Sequence, residues 1–300
     1  MPRKAVSRTV RTNATADAVI QGERGSFSEA AALAHLGPKS TTLSANTFDA
    51  AFDALALGRA KHAVMPVENT LTGSIGPVVD LLKERAVVAV GEQKLHVRHC
   101  LMALPGVKAE ELTKVASHPQ ALAQCAKFLS RSGLTAEAVY DTAGAAKTLA
   151  STRVRDRGVI APERAARVWG LRVLEKDVQD DPENWTRFLV LVRDTPTTRI
   201  EEAATKRSPP RQGTEWKTTI LFGTKHIPGA LAMVLNDFAA AGLNLLKIES
   251  RPARGKPWEY WFWLDVAAGP EDREGRLKQA LESTAHRSTF VKLLGTYPAK

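Results

Sequence analysis

Short apolar runs alternate with segments of helical periodicity from residue 18 to residue 192, and this alternation most strongly constrains the fold. Runs such as Ala18–Ile20, Ala63–Val67 and Val159–Ala161 are typical of buried strands. Because strands that alternate with helices build layered sheets, the pattern predicts an α/β domain with a mostly parallel sheet. The other elements predicted in this region are helices at 28–35, 48–57, 119–129 and 162–168 and strands at 87–90, 100–104, 115–116 and 188–192.

A segment of different composition follows this domain. Residues 194–216 contain three prolines, a glycine and many charges but few large apolar side chains, which is typical of a linker. Beyond it, strands at 218–222, 245–249, 258–266 and 290–294 and helices at 230–241 and 273–283 give the order βαββαβ, the ferredoxin-like split motif. The predicted divisions are a disordered basic tail (1–16), a first domain (17–193), the linker (194–216) and a second domain (217–300).

The net charge of +10 is in the range of nucleic-acid-binding proteins, but its placement argues against that function. Residues 1–16 hold four basic residues and no acid, and residues 193–217 hold six basic and four acidic residues. These segments therefore supply six of the ten net charges. No predicted helix or strand carries a basic stripe with interleaved aromatic residues, so we expect no nucleic-acid partner.

Two observations bear on the compartment. No apolar run reaches the roughly 18 residues of a membrane span, and the N-terminus lacks the apolar core of a secretory signal, so we expect no membrane partner. The two cysteines, Cys100 and Cys125, form no C-x-x-C pair or disulfide framework, which favours a reducing, cytoplasmic location. The tail is basic and poor in acids, like an organelle transit peptide, and this leaves a plastid as the alternative.

The pentapeptide Asn184–Phe188 (NWTRF) opens the apolar strand predicted at 188–192. An arginine beside a hydroxyl, here Arg187 beside Thr186, suits an anionic ligand. An edge strand with a polar lead-in would show the same residues. The pentapeptide alone therefore leaves both interpretations open.

Two further polar motifs lie at strand ends of the first domain. Residues 22–29 open a helix that Ser26 or Ser28 can cap, and free amides at such a helix start attract anions. Residues 66–74 follow a strand whose carboxyl end is the usual ligand position in open α/β sheets. Residues 22–29 alone favour plain helix capping, whereas a polar turn and a ligand site fit residues 66–74 equally well. The polar side chains of the second motif are Glu68, Asn69, Thr70 and Ser74.

The segment 117–125 again places polar groups after a strand, beginning with Ser117. Gln120 and Gln124 are four residues apart and share one face of the predicted helix. His118 has no nucleophile or acid in the sequence to pair with, so we expect it to be structural, and Cys125 is expected to be a small core residue. Downstream, Asp141 reads as the N-cap of a helix rich in small residues.

In the second domain, residues 228–231 open a helix and residues 249–252 end a strand. A glycine-initiated helix that faces a neighbouring strand end can hold a small amino acid, with its carboxylate on the helix amides.

Seven motifs in this order resemble the prephenate dehydratase family and the related arogenate dehydratases. They are GSFSEAA, PVENTLTGS, SHPQALAQC, DTAGAA, NWTRF, GAL and ESRP, and the resemblance extends from about Val19 to Pro298. It implies a two-lobed catalytic domain like a periplasmic binding protein, followed by a ferredoxin-like ACT domain that binds phenylalanine as an inhibitor. It also implies a homodimer or homotetramer, a small-molecule substrate and no metal or organic cofactor.

The reaction that the resemblance implies converts prephenate to phenylpyruvate with loss of water and carbon dioxide. Because decarboxylation supplies the electrons, the enzyme has chiefly to hold the carboxylates and help the hydroxyl leave. The resemblance places Thr186 at the leaving hydroxyl, and it gives catalytic or orienting roles to Asn69, Ser117 and Gln124. Other expected substrate contacts are Ser26, Glu68, Thr70, Ser74, Arg187 and Phe188. The expected phenylalanine-binding residues are Gly229, Ala230, Leu231, Asn244, Glu249, Ser250, Arg251 and Pro252.

Two alternatives accompany this prediction. The stretches HCLMALPGV and QDDPENWTRF resemble plant-type members that prefer arogenate, which would make phenylalanine the product. A non-catalytic solute-binding module with an ACT sensor would share the two lobes but would not need the TRF element.

Overall fold

A computed structural model of the chain describes residues 15–196, 215–272 and 275–299. Nearly all of the predicted basic tail and most of the predicted linker lie outside the described residues. The described residues form two α/β lobes and a C-terminal domain, each with its own sheet. No helix within these ranges is long and apolar enough to cross a membrane.

The first lobe begins with five strands and three helices. They are β1 (Ala16–Gln21), α1 (Phe27–Leu36), β2 (Thr42–Ala45), α2 (Phe48–Ala56), β3 (Ala60–Asn69), β4 (Gly73–Ser74), α3 (Gly76–Glu84) and β5 (Val87–His96). Side chains of Ser26 and Thr47 cap α1 and α2, and Pro77 stands in the first turn of α3.

The second lobe continues the chain with five strands and four helices. They are β6 (Cys100–Ala103), β7 (Lys114–Ser117), α4 (Pro119–Ala123), α5 (Ala126–Ser132), β8 (Thr135–Ala138), α6 (Thr142–Thr152), β9 (Arg157–Ala161), α7 (Glu163–Trp169) and β10 (Arg172–Lys176). Its sheet has the order β10-β6-β9-β7-β8. The single helix predicted at 119–129 is two helices, because Cys125 leaves the helical conformation at φ −119° and ψ 27°.

The chain then returns to the first lobe as β11 (Trp185–Arg193), which lies between β3 and β5 in the order β2-β1-β3-β11-β5. β1 is parallel to β2 and β3, whereas β11 is antiparallel to both of its neighbours. Because β5 runs in the same direction as β1, β2 and β3, most strands of this sheet are parallel, as predicted, and β11 is a strand inserted against them. Both lobes have mixed sheets because strands near the two crossings run against the parallel set.

The C-terminal domain has the predicted order βαββαβ. Its elements are β12 (Trp216–Thr224), α8 (Ala230–Ala240), β13 (Asn244–Pro252), β14 (Tyr260–Ala267), α9 (Arg276–Arg287) and β15 (Ser288–Pro298). The antiparallel sheet has the order β13-β14-β12-β15. Both helices pack on one face of this sheet, where Val234 and Leu277 join a core with Phe222.

The other face of that sheet packs on the first lobe. Trp261, Trp263 and Tyr297 belong to the same buried cluster as Leu189 of β11 and Ala89 of β5. The C-terminal domain thus shares a continuous apolar core with β5 and β11 of the first lobe. The sequence, interpreted as two domains and a linker, does not predict this contact.

The closest approach in this interface lies at a glycine of β15. A Cβ atom on Gly295 would lie 2.1 Å from the backbone oxygen of Ala89. Because backbone cannot yield as a flexible side chain does, we expect Gly295→Ala to lower the free energy of unfolding by about 1–3 kcal/mol. Urea denaturation measures this change. The matched control is Gly275→Ala, where the added Cβ meets nothing within 4 Å, and an equal loss in both variants would contradict the explanation.

Candidate active site

A cavity of about 400 Å³ lies in the cleft between the two lobes. The first lobe contributes residues of α1, β3, β11 and the turn after β4, and the second lobe contributes residues of α4 and the start of α6. The lining residues are Gln21, Ser26, Phe27, Ser28, Phe48, Pro66, Asn69, Thr72, Ile75, Val97, His99, His118, Gln120, Ala121, Gln124, Tyr140, Asp141, Thr142, Thr186 and Phe188.

Thr186 and Asn69 are direct partners on adjacent strands, and both line the cavity. The Asn69 Nδ2 atom donates to the Thr186 Oγ1 atom at 3.1 Å, and it also lies 2.6 Å from Asn184 Oδ1. Thr186 is 9% exposed and Asn69 is 6% exposed, so these bonds are sheltered from water. The register of β11 against β3 thus fixes a hydroxyl beside an amide in the cleft.

The orientation of the Asn69 amide follows from its other partners. Its Oδ1 atom accepts from the backbone amides of Leu71 at 3.0 Å and Thr72 at 3.1 Å. Backbone amides only donate, so the atom that meets them is the oxygen and the NH₂ group faces Thr186. The Thr186 oxygen accepts this bond, which leaves the hydroxyl hydrogen available for a ligand in the cavity.

Helix starts supply the electropositive part of the cavity wall. α1 and α6 both begin at the cavity, where Ser26 accepts from Glu29 N at 3.2 Å and Asp141 accepts from Gly144 N at 3.0 Å. Neither lysine nor arginine is among the described lining residues. An anionic group in this cavity therefore depends on backbone amides and neutral donors.

His99 and Gln124 form a second polar pair in the cavity. His99 Nε2 lies 3.1 Å from Gln124 Oε1, and the ring of Phe27 stands edge-on to the imidazole at 5.5 Å. Burial lowers the pKa of His99 below its ordinary value of 6.5, against the smaller opposite effect of the Gln124 bond. A neutral imidazole whose Nε2 donates to Gln124 directs the NH₂ group of Gln124 away from His99.

Hydrogen bonds across the cleft hold the lobes together around the cavity. Gln120 donates to Thr72 Oγ1 at 3.2 Å, and the Tyr140 hydroxyl donates to the Asn46 carbonyl at 2.6 Å. Arg164 of the second lobe pairs with the buried Glu29 of α1 at 2.8 Å. The structure is therefore that of a closed cleft.

The structure brings together five of the predicted substrate and catalytic residues at the cavity, namely Ser26, Asn69, Gln124, Thr186 and Phe188. Ser117 lies behind the wall, where its hydroxyl donates to the Ile160 carbonyl at 2.6 Å. Thr70 is also outside the lining, and its hydroxyl bonds to the backbone of Glu183 and Trp185 at the crossing between lobes. Ser117 and Thr70, which were expected to touch the ligand, thus lie outside the cavity lining.

Glu68, Ser74 and Arg187 are likewise not among the lining residues. Side chains alternate between the two faces of a strand, so the neighbours of Asn69 and Thr186 face the opposite way. Arg187 pairs with Asp265 of β14 at 2.7 Å, and Glu68 pairs with Lys247 of β13 at 2.8 Å. Arg187, the expected anion clamp, is instead part of the contact with the C-terminal domain. This position differs from its predicted role in binding the substrate.

The eight predicted effector residues fall into separate groups. Gly229, at φ 77°, begins α8 with Ala230 and Leu231 beside an open cavity of about 440 Å³. On β13, Glu249 bonds to Ser74 and Arg251 lies 3.5 Å from Asp80, so these side chains reach the first lobe. The other three residues, Asn244, Ser250 and Pro252, belong to the same strand.

Several cavity residues were not predicted. His99 precedes an apolar run that reads only as a strand, and Tyr140 and Thr72 stand in turns without periodicity. The surrounding sequence does not indicate that these residues line a cavity, because each of them contacts a residue of the other lobe. His118, expected to be structural, accepts from Gln120 N at 3.2 Å as the N-cap of α4, and Cys125 is fully buried, as expected. Within the described ranges, no group of three or more His, Cys, Asp or Glu is arranged to hold a metal ion.

These features define a two-lobed enzyme domain followed by a regulatory module, and comparison with known proteins gives the family. The sequence model of prephenate dehydratase matches residues 18–196, and that of the ACT domain matches residues 218–284. The chain belongs to the prephenate dehydratase family and is a hydro-lyase, with an ACT domain as its C-terminal domain.

Two plant proteins are similar over nearly the whole chain. Arogenate dehydratase/prephenate dehydratase 2, chloroplastic, of Arabidopsis thaliana is 40% identical over 304 residues, which cover 98% of this chain and 75% of that protein. Arogenate dehydratase 2 of Petunia hybrida is 40% identical over 319 residues, which cover 100% of this chain and 77% of that protein.

Two solved structures are also similar. GqqA, described as a novel type of quorum quenching acylase, has a TM-score of 0.80 and 31% identity, with coverage of 94% of this chain and 98% of that chain. Prephenate dehydratase from Arthrobacter aurescens in complex with L-Phe has a TM-score of 0.80 and 26% identity, with coverage of 94% and 90%.

The lowered pKa of His99 predicts a pH dependence of stability. Below about pH 6.5 the unfolded state binds a proton that the folded state resists, so the free energy of unfolding falls as the pH decreases. Replacing the imidazole in His99→Gln should flatten this dependence below about pH 6.5. Chemical denaturation at a series of pH values measures it. His286→Gln, at an exposed position on α9, is the control, and equal curves for wild type and His99→Gln would contradict the assignment.

Proposed function

We propose that this dehydratase acts on arogenate and releases phenylalanine, water and carbon dioxide, with prephenate as the second candidate substrate. The observation that carries the proposal is the Thr186 hydroxyl, held by Asn69 at 3.1 Å in the cavity between the lobes. The names of the plant relatives support arogenate.

The chemistry suits a site of neutral donors. Decarboxylation moves the carbon–carboxylate electron pair into the ring, and the ring expels its hydroxyl as it becomes aromatic. Thr186 donates its hydrogen to the leaving oxygen, while Asn69 supports the negative charge that develops on the threonine oxygen. The amides at the start of α1 and the side chain of Gln124 are placed to bind carboxylates.

The charge of the cavity lining supports arogenate over prephenate as the substrate. Prephenate carries a keto acid side chain, whereas arogenate carries an amino acid side chain with an ammonium group. The described lining holds no lysine or arginine to balance a dianion, and it includes the carboxylate of Asp141. A zwitterionic side chain therefore matches this wall better than a keto acid does.

Removing the Thr186 hydroxyl tests the catalytic assignment. Thr186→Val keeps the shape of the side chain but cannot donate, so we expect kcat to fall by about 10²-fold or more, whereas Thr186→Ser should retain much of the activity. Arogenate and prephenate are assayed side by side with both variants. Comparable kcat for wild type and Thr186→Val would contradict the assignment, and a higher kcat/KM for prephenate would reverse the order of the substrates.

The similarity to GqqA raises amide hydrolysis as a different reaction. Neither imidazole in the cavity hydrogen-bonds to a serine, because His99 meets Gln124 and His118 caps its own helix. Release of an acyl group from an N-acyl amide by wild type, without turnover of arogenate or prephenate, would favour that reaction.

We further propose that phenylalanine binds the C-terminal domain beside Gly229 and inhibits the enzyme. The support is the ACT family match, the open cavity at the start of α8 and the L-Phe complex of the Arthrobacter aurescens enzyme. A homodimer or homotetramer would pair these domains. The plant names include the word chloroplastic, which supports the plastid alternative over the cytoplasm and can be tested by imaging a fluorescent fusion of the full chain.

A valine at Gly229 tests the effector site. The positive φ of 77° is unfavourable for a β-branched residue, so Gly229→Val should distort the start of α8 and weaken phenylalanine binding by about tenfold or more. Titration calorimetry on the full chain measures the affinity. Gly255→Val, at φ 75° in a loop of the same domain, imposes similar backbone strain elsewhere. Unchanged affinity in Gly229→Val, or an equal loss in both variants, would contradict this location.

A further inference from the structure

The face of β11 opposite the cavity carries a buried ion cluster. Arg187, the residue after Thr186, lies 2.7 Å from Asp265 and 3.2 Å from Glu92. Arg187 is 8% exposed, Asp265 1% and Glu92 0%. Buried charges are stable only when they are paired, so the positions of these groups depend on one another. The cluster joins strands of two domains, since Asp265 belongs to β14 of the C-terminal domain.

Asp265 and Glu92, the two fully buried partners of Arg187, are fixed by further bonds. Asp265 accepts from Thr219 Oγ1 at 2.6 Å and from Trp263 Nε1 at 2.7 Å. Glu92 accepts from Lys217 Nζ of β12 at 2.7 Å. The C-terminal sheet therefore supplies a fixed carboxylate, Asp265, that pairs with Arg187. It also supplies a cation, Lys217, that pairs with Glu92, the other buried partner of Arg187.

The cluster also reaches the strand that carries Asn69. Glu68 pairs with Arg187 across the strands, at 3.1 Å from Nε, and with Lys247 at 2.8 Å. Lys247 in turn contacts Ser74 and Glu249 at 3.1 Å each. Both residues of the Thr186–Asn69 pair thus have a neighbour in sequence that is anchored to the C-terminal domain.

Burial opposes the charge on Arg187, but Asp265 and the other acidic groups around it outweigh this effect and raise its pKa. Arg187 therefore remains a cation in every condition in which the protein is folded. If Asp265 moved away from Arg187, a buried charge would be left unpaired. The pairing therefore opposes movement of β11 relative to β14.

We propose that Arg187 is a positioning residue, and that its pairing with Asp265 makes the C-terminal sheet a required support for the Thr186–Asn69 pair. The kinetic effect expected from this role rests on the proposed function. An effector that shifts the C-terminal sheet would then act on the catalytic rate through β11, because Arg187 and Thr186 are adjacent on one strand.

The kinetic test weakens the cluster from the side of the C-terminal domain. Asp265→Asn keeps the shape of the side chain but removes the charge that Arg187 faces. We expect kcat to fall by about tenfold or more with KM changed by less than about twofold, because misplacing a catalytic group costs rate rather than binding. Lys247→Met, at the more accessible end of the cluster, should give a smaller fall in kcat and serves as a second variant if Asp265→Asn does not fold.

The matched control is Lys292→Met. Lys292 also joins the C-terminal domain to the first lobe, through bonds to the carbonyls of Leu82 and Arg85 at 2.7 and 2.6 Å, and its charge interacts with Asp194, just beyond the end of β11 that is remote from Thr186. We expect its kcat to match wild type. Equal kcat for Asp265→Asn, Lys247→Met and wild type, or equal losses in Lys292→Met, would overturn the proposal.

A measurement without turnover separates this proposal from the proposed function. Amide hydrogen exchange of a peptide covering β11 should be faster in Asp265→Asn, or in Lys247→Met if the first variant does not fold, and unchanged in Lys292→Met. If wild type converts neither arogenate nor prephenate, the proposed function fails while the exchange result still decides whether the cluster holds β11. Wild-type exchange in both cluster variants would show that it does not.

Discussion

The register of β11 between β3 and β5 is the constraint on which the site depends. Pairing Thr186 with Asn69 places a hydroxyl and an amide in the cleft, and the same register pairs Arg187 with Glu68 on the opposite face. A slip by one residue would exchange the two faces, putting an arginine into the cavity and a threonine among buried carboxylates. One alignment therefore specifies both the active site and the contact between domains.

Much of the fold could be predicted from the sequence because it is local. Apolar runs predict the longer strands, and helix caps such as Asp141 predict helix starts. The order βαββαβ of the C-terminal domain is likewise visible in the sequence. The short strands β2, β8 and β10 were not predicted, since four or five residues with mixed polarity carry little periodicity. The mixed direction of the sheets was also not predictable, because it depends on where the chain crosses between the lobes.

The site was only partly predictable for a related reason. Asn69, Gln124 and Thr186 were identified through motifs, and the structure brings them to one cavity. Motifs do not tell which face of a strand a residue occupies. Glu68 and Arg187 share the motifs of their neighbours but face the C-terminal domain, and His99 acquires its place only when Phe27 and Gln124 pack around it.

The bonds that close the cleft have a consequence for the timing of the reaction. Thr72 with Gln120 and Tyr140 with Asn46 span the lobes beside the cavity, so we expect both bonds to break when the lobes move apart. We expect these hydrogen bonds to be strong enough to exclude bulk water during bond cleavage and weak enough to let the product leave afterwards. These two bonds are neutral and of modest net strength, so the charged contact that opposes opening is the pair of Arg164 with the buried Glu29. We therefore expect opening of the two lobes to be a step of the catalytic cycle in addition to the chemistry between them.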